Sequence, residues 1–244
     1  MARFNDKVVL VSGGGSGIGK AAAELFAAEG AKVFITGRRE APLKAVAESG
    51  SQLAWLSADV SKPGDAARIV EAAVAAFGRL DVLVNNAGTF TMGPLAESSD
   101  DEIARVFSVN VFGTLALTRE ALPQLIQHQG AVVNVSTTLT RGVMPGTSVY
   151  AASKAALDHV TRVIAAEVGP MGVRVNAVAP GLTVTDMSAG FRQNDDAREM
   201  AIAQTPMGRM GDPVDVARAI ALAASPEASW VTGQVIQASG GFML

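Results

Sequence analysis

The stretch that most restricts the fold is Lys7 to Gly19. There an aliphatic run, Val8-Val9-Leu10-Val11-Ser12, passes without a break into Gly13-Gly14-Gly15-Ser16-Gly17-Ile18-Gly19. An alanine-rich segment follows as far as Glu29, and a second aliphatic run, Ala31 to Thr36, comes after it. Strand, glycine turn, helix and strand in this order make a βαβ unit of the expected length, about thirty residues. Neither strand alternates in polarity, so both faces of each must be covered. That argues against a one-sided antiparallel sheet and for a parallel sheet with helices packed on both sides.

The same alternation continues along the chain. Helices are predicted at about 40 to 48, Pro63 to Phe77, about 99 to 127, around Tyr150, and Pro213 to Ala224. Strands are predicted at Leu53 to Ala58, Val82 to Asn85, Ala131 to Ser136, Val173 to Val178 and Val231 to Gln237. After Pro180-Gly181 the regular pattern lapses, and the stretch 183–205 reads as a substrate lid, since irregular segments of such length inside a compact domain are usually functional or mobile. At 244 residues and 49% hydrophobic, the chain can bury one large core. The reading is an α/β chain: a single-domain, doubly wound Rossmann fold over residues 1–244, a parallel sheet with helices on both faces.

Composition narrows the chemistry. A net charge of −3 supplies no basic field for nucleic acid or an anionic membrane, so neither is expected as a partner. The absence of cysteine rules out disulfides and thiolate catalysis, and only two histidines, His128 and His159, leave little for a metal site, so no metal is expected. Met1 to Asp6 is polar, without the charged-then-apolar order of a leader, and no apolar run is long enough to span a bilayer. A soluble, cytoplasmic protein is the expectation.

In an open parallel sheet, ligands sit beyond the carboxyl ends of the strands, where the first turn offers backbone amides and a helix N-terminus to an anion. Gly13, Gly15, Ser16, Gly17, Ile18 and Gly19 form that turn, with the spacing Gly-x-x-x-Gly-x-Gly. They are candidate phosphate-binding residues; a glycine-rich turn without a ligand is the alternative. The end of the second strand, where a carboxylate would bond a ribose 2′-hydroxyl and an arginine a 2′-phosphate, reads Arg38-Arg39. Two guanidiniums and no acid favour NADP(H), with NAD(H) kept as the alternative because Ser16, where a second basic residue could sit, is neutral. Asp59, followed by Val60, ends the third strand; it could accept a hydrogen bond from an adenine amino group or cap the next helix.

Tyr150 and Lys154 stand one helical turn apart in an alanine-rich segment, and Tyr150 is the only tyrosine. A phenol titrates near about 10, and an adjacent cation lowers that value toward the range useful for acid–base work. An amphipathic face with a snorkelling lysine is the alternative reading.

Ser12-Gly13-x-x-x-Gly17-Ile18-Gly19, Asn85-Asn86-Ala87-Gly88, Asn110, Ser136-Thr137, Tyr150-x-x-x-Lys154, Arg174-Val175-Asn176 and Pro180-Gly181 follow in that order along nearly the whole chain. Together they resemble the short-chain dehydrogenase/reductase family, in its short branch. The resemblance implies Tyr150 as general acid or base, and Lys154 on the nicotinamide ribose, depressing the phenol's titration. It also implies that Asn110 binds a relay water, a role to set against that of a polar residue on a wet helix face. Asn86, Ala87 and Gly88 would line the adenosine side of the cofactor, and Pro180, Gly181, Thr183 and Thr185 the nicotinamide side.

Three positions depart from the family pattern. Thr137 stands where the substrate-orienting serine is usual; if its side chain points into the site, strand alternation turns Ser136 away. Thr183 replaces an aliphatic residue, and Ser239 an aspartate before Gly240-Gly241.

The substrate side is expected to be apolar, lined by Leu139, Met144, Val149, Met187 and Phe191. Segment Gln124 to Gln129 offers no basic patch for an acidic carrier protein. A small ketone or secondary alcohol is therefore the first reading and a 3-oxoacyl thioester of acyl carrier protein or coenzyme A the second. A nucleotide-sensing module without turnover is the reading from another class. The family also implies a homotetramer, with the apolar end Phe242-Met243-Leu244 buried in a neighbouring subunit.

Overall fold

In the computed structural model, which describes residues 2–243, the strands are β1 (Val8–Ser12), β2 (Lys32–Gly37), β3 (Leu53–Ser57), β4 (Val82–Asn85), β5 (Ala131–Val135), β6 (Arg174–Pro180) and β7 (Val235–Ala238). They form one sheet in the order β3-β2-β1-β4-β5-β6-β7, every neighbour parallel. The helices that cross between them are α1 (Gly17–Ala28), α2 (Glu40–Ala47), α3 (Asp65–Phe77), α4 (Asp100–Phe107), α5 (Gly113–Gln127), α6 (Ser148–Val168), α7 (Ala189–Arg192), α8 (Asp195–Ala203) and α9 (Pro213–Ala224). None is long and apolar enough to cross a membrane.

The unalternating strands are explained by two apolar layers. Val9 and Val11 of β1 pack with Ala22, Ala23 and Phe26 of α1 and Val216 and Ile220 of α9. Val8 and Leu10 point to the other face, among Ile69 of α3, Leu117 and Leu125 of α5, and Ala165 of α6. Each larger side chain buried this way contributes about 1.5–3 kcal/mol.

Strand order reverses between β1 and β4, and in such sheets the ligand crevice lies at that reversal. The two strand ends are tied together there. The Ser12 hydroxyl accepts from the backbone N–H of Asn86 and of Ala87, each at 3.0 Å, while Asn86 Nδ2 donates to the carbonyls of Ser12 (2.9 Å) and Gly13 (3.2 Å).

At the opposite end of the sheet, buried Asp81 accepts from Val8 N–H (3.0 Å), Lys7 (3.2 Å) and the Nε and Nη2 of Arg79 (2.8 and 2.6 Å). Arg174 donates to the carbonyls of Ala223, Ala224 and Ser225, closing the C-terminus of α9. Asn176 accepts from Gln234 N–H and donates to Val231 O. The Arg174-Val175-Asn176 motif therefore holds α9 and the approach to β7 against β6.

Several boundaries differ from expectation. The helix expected over 99–127 is broken by a π turn at Ser108–Phe112. The helix expected from Pro63 begins at Asp65, after Gly64 in a left-handed conformation. The lid segment contains α7 and α8, the latter capped by the Asn194 side chain accepting from Ala197 N–H. The last strand starts at Val235 instead of Val231, because Gly233 takes φ +69° and the Thr232 hydroxyl, not a ladder carbonyl, accepts from Val175 N–H. Of the C-terminal residues, Phe242 is buried within its own chain and Met243 lies against Gly142, while Leu244 falls outside the described residues.

Candidate active site

A cavity of about 240 Å³ opens at the crevice between β1 and β4. The turn contributes Gly13, Gly15, Ser16, Gly17 and Ile18, and the end of β2 contributes Arg38 and Arg39. Asp59 and Val60 after β3 and Asn86, Ala87 and Gly88 after β4 complete the floor, with Thr185, Asp186 and Met187 leaning in from beyond β6.

Gly13 takes φ +67°, and a Cβ there would lie 2.7 Å from Asn86 Nδ2 and 3.1 Å from Ala87 Cα, so only glycine fits. Ser16 precedes α1 without a side-chain capping bond, and no acid stands in the first turn. The N-terminal amides of α1 are left for a ligand, the arrangement that binds phosphate. Turn, cavity and unblocked helix end fit a dinucleotide.

Arg39 donates to the Ser16 hydroxyl at 3.2 Å and lies 3.9 Å from Asp186, so both arginines and the neutral serine share one exposed corner. Asp59 does not cap a helix; its carboxylate accepts from the N–H (3.1 Å) and hydroxyl (2.7 Å) of Ser61. Burial would raise its pKa, but the Ser61 bonds and the charges of Arg38 and Lys62 outweigh burial and hold it below the usual carboxylate range.

Gly19, Pro180, Gly181 and Thr183 lie outside the cavity lining. Gly19 backs onto the Gly13 carbonyl, Gly181 packs on Ser239, and buried Thr183 donates to Gly181 O at 3.0 Å.

Beside the cavity, α6 carries Tyr150 and Lys154 into the interior, 8% and 4% exposed. Phe90 meets the phenol edge-on, ring centroids 4.9 Å apart. Burial pushes the phenol up to about 12, partly opposed by a hydrogen bond with the Thr137 side chain. Burial also pulls Lys154 down to about 8, with the charge of Asp158 acting the other way. The expectation that Lys154 depresses the phenol is therefore not met within the protein itself. The ammonium is turned onto the Val135 carbonyl at 2.7 Å, and desolvation of the phenolate dominates.

Asn110 is fully buried, not on a wet helix face. Standing within the π turn, it accepts from Thr89 N–H (2.8 Å) and donates to Thr89 O and the Ser153 hydroxyl, both at 3.0 Å. A Cβ on Gly88 would sit 3.4 Å from Asn110 Oδ1 and 3.5 Å from Lys154 Nζ. Gly88 lines the cavity, so the ammonium and the cavity adjoin. Ser136 turns to Asp158 and Thr137 to Tyr150, as strand alternation requires.

Of the five apolar residues expected around a substrate, Met187 lines the cavity, Val149 is buried, and Leu139, Met144 and Phe191 are half-buried beyond it. Three residues of the site were not singled out from sequence: Phe90, Ser153 and Asp158. Ser153 lies three residues after Tyr150 and Asp158 four after Lys154, helical spacings that are a legible signal; Phe90 reaches the phenol only through the path of the loop after β4.

A parallel sheet in this order, a ligand-ready glycine turn at its reversal, and a buried phenol and ammonium alongside define a nucleotide-dependent oxidoreductase of Rossmann type. A family model described as enoyl-(acyl carrier protein) reductase matches residues 13–243, and the chain belongs to the short-chain dehydrogenase/reductase family. An uncharacterized oxidoreductase from Methylorubrum extorquens is 40% identical over 248 residues, covering 99% of each chain. A cyclopentanol dehydrogenase from Comamonas sp. is 36% identical over 247 residues, again 99% of each. The crystal structure of a 3-ketoacyl-(acyl-carrier-protein) reductase from Brucella melitensis, complexed with NADH, matches with a TM-score of 0.94 at 34% identity, over 99% of this chain and 100% of that one.

Proposed function

We propose that the protein interconverts a ketone and a secondary alcohol, prefers NADP(H) to NAD(H), and uses Tyr150 as general acid in reduction and general base in oxidation. The observation that carries this reading is the junction at Gly88, where the cavity of the glycine turn meets Lys154 and Asn110. A nicotinamide dinucleotide bound there would supply hydride.

The chain's own groups do the rest. The turn amides and the N-terminus of α1 hold phosphate, Arg38 and Arg39 meet a 2′-phosphate, and Asp59 accepts from an adenine amino group. Asn86, Ala87 and Gly88 wall the adenosine side, and Thr185 bonds a carboxamide. A phenol raised by burial keeps its proton at neutral pH and can donate it to a carbonyl oxygen, while Lys154 and the positive charge of an oxidised nicotinamide would bring its titration back toward the range that acid–base work requires. Thr137 orients that oxygen, Phe90 excludes water from one side of the phenol, and the segment 183–205 closes over the substrate.

A second reading, reduction of a 3-oxoacyl thioester, is favoured by the likeness to the solved 3-ketoacyl reductase. One screen separates the readings: oxidation of NADPH and NADH with small ketones, diketones and acetoacetyl thioesters, run with Tyr150→Phe. The variant should lose at least about 100-fold in kcat, the range general acid catalysis supplies, with cofactor Kd unchanged. A variant keeping more than about a tenth of the rate would sink the role of Tyr150. Wild-type protein that binds dinucleotide but turns over nothing would favour the sensing module.

A further inference from the structure

A ladder of polar contacts joins α6 to β5. Asn134 donates to the Thr161 hydroxyl at 2.9 Å, Ser136 donates to Asp158, Lys154 donates to the Val135 carbonyl, and Thr137 meets Tyr150. Three of these rungs join neutral groups or belong to the phenol and ammonium. Asp158 is different. It is 7% exposed, forms no ion pair among the described residues, and lies one helical turn beyond Lys154. A buried carboxylate is costly, and an asparagine would accept from Ser136 equally well, so the charge itself calls for a reason.

We infer that Asp158 is a positioning residue of the active site: its charge keeps Lys154 an ammonium, and its bond to Ser136 fixes the strand end that offers the Val135 carbonyl to Lys154 and Thr137 to Tyr150. This rests on the reading of Tyr150 and Lys154 given above. Burial pulls Lys154 down, to about 8 even with Asp158 acting against it, and Asp158 is the charge that opposes the burial. No other element supplies one. On α4, Glu102 and Arg105 bond Thr91 and Thr89; on β6, Arg174 closes α9; on α6, His159, Arg162 and Glu167 are exposed. The π turn and β5 contribute no ionisable side chain.

The test is the pH dependence of kcat/KM for carbonyl reduction in wild type, Asp158→Asn, Asp158→Glu and Ser136→Ala, with Tyr150→Phe as control. Asp158→Asn keeps an acceptor for Ser136 but removes the charge. It should move the alkaline limb down by about one to two pH units, the scale set by opposite charges one turn apart at an effective dielectric of about 20 to 40. Ser136→Ala, which keeps the charge, should leave the limb in place, as should Asp158→Glu. An Asp158→Asn profile overlaying wild type, or an equal shift in Ser136→Ala, overturns the inference. If Asp158→Asn does not fold, a shift of the limb in Asp158→Glu overturns it, and an unmoved limb with a lowered melting temperature supports it. Retained activity in Tyr150→Phe would instead overturn the underlying reading and is told apart by that control.

Discussion

Gly19→Ala should destabilise the protein although alanine is the better helix former. Gly19 is buried in the first turn of α1, and its backbone is helical, so no left-handed strain confuses the comparison. Propensity alone would stabilise the variant by about 0.8–1.0 kcal/mol. The added Cβ, however, would lie 2.8 Å from the Gly13 carbonyl carbon and closer still to its oxygen and to Asn86 Nδ2. Overpacking costs about 1–3 kcal/mol, at the upper end when the obstacle is backbone. Shifting the turn would also strain the two Asn86 bonds to Ser12 and Gly13, each worth about 0.5–1.5 kcal/mol. The net loss is about 2–4 kcal/mol, or roughly 5–15 °C in Tm for a chain of this size. The dinucleotide Kd should weaken as well, because the same shift moves the turn amides. Gly64→Ala is the control: φ is +83° with open space around it, so only the left-handed cost of about 1–2 kcal/mol applies and cofactor affinity should not change. Thermal melting and fluorescence titration read both effects. A Gly19→Ala protein that melts within about 1 °C of wild type and binds cofactor normally would refute the steric argument.

Arg39→Ala should raise the NADPH Kd by about 10- to 100-fold, the worth of one charge-assisted bond, and leave the NADH Kd within about two-fold; an equal change in both would show that Arg39 does not read the 2′-phosphate. Asp81 makes the fold acid-sensitive. Burial would raise its pKa, but the Arg79 and Val8 N–H bonds and the charge of Lys7 outweigh burial and depress it. Its contribution is therefore present above the unfolded aspartate value of about 3.9 and is lost as pH falls through the lower folded value. Tm should drop below about pH 5, and Asp81→Asn should drop less steeply over the same window; parallel curves would point to another carboxylate.

Sequence reading reached the sheet because burial on both faces writes a continuous aliphatic run, as in β1 and β5, and because glycines mark the one turn that a side chain would block. It reached Tyr150 and Lys154 because helical spacing fixes their common face. It did not reach the π turn, since one extra residue per turn leaves no trace in hydrophobic periodicity; Asn110 was consequently open to being placed on the wet side. The direction of the phenol shift was missed for a related reason. Spacing puts Lys154 near Tyr150 but says nothing of the Val135 carbonyl that takes up the ammonium, or of Phe90, which packs against the phenol. At β7, side-chain bonds from Thr232 and Asn176 replace ladder bonds, which no strand propensity reports.

The α6–β5 ladder divides the chain into parts that can and cannot change length. One residue inserted between Tyr150 and Lys154 would swing every later rung by about 100° around the helix. The stretch 141–147, which joins the two sides of the ladder and contributes none of its rungs, can lengthen or shorten without disturbing any of them. It includes Met144 and begins two residues after Leu139, both of them expected from the sequence to face a substrate. Insertions and deletions could therefore alter what the site accepts while the proton-handling groups stay in register, so that a change of substrate need not entail a change of chemistry.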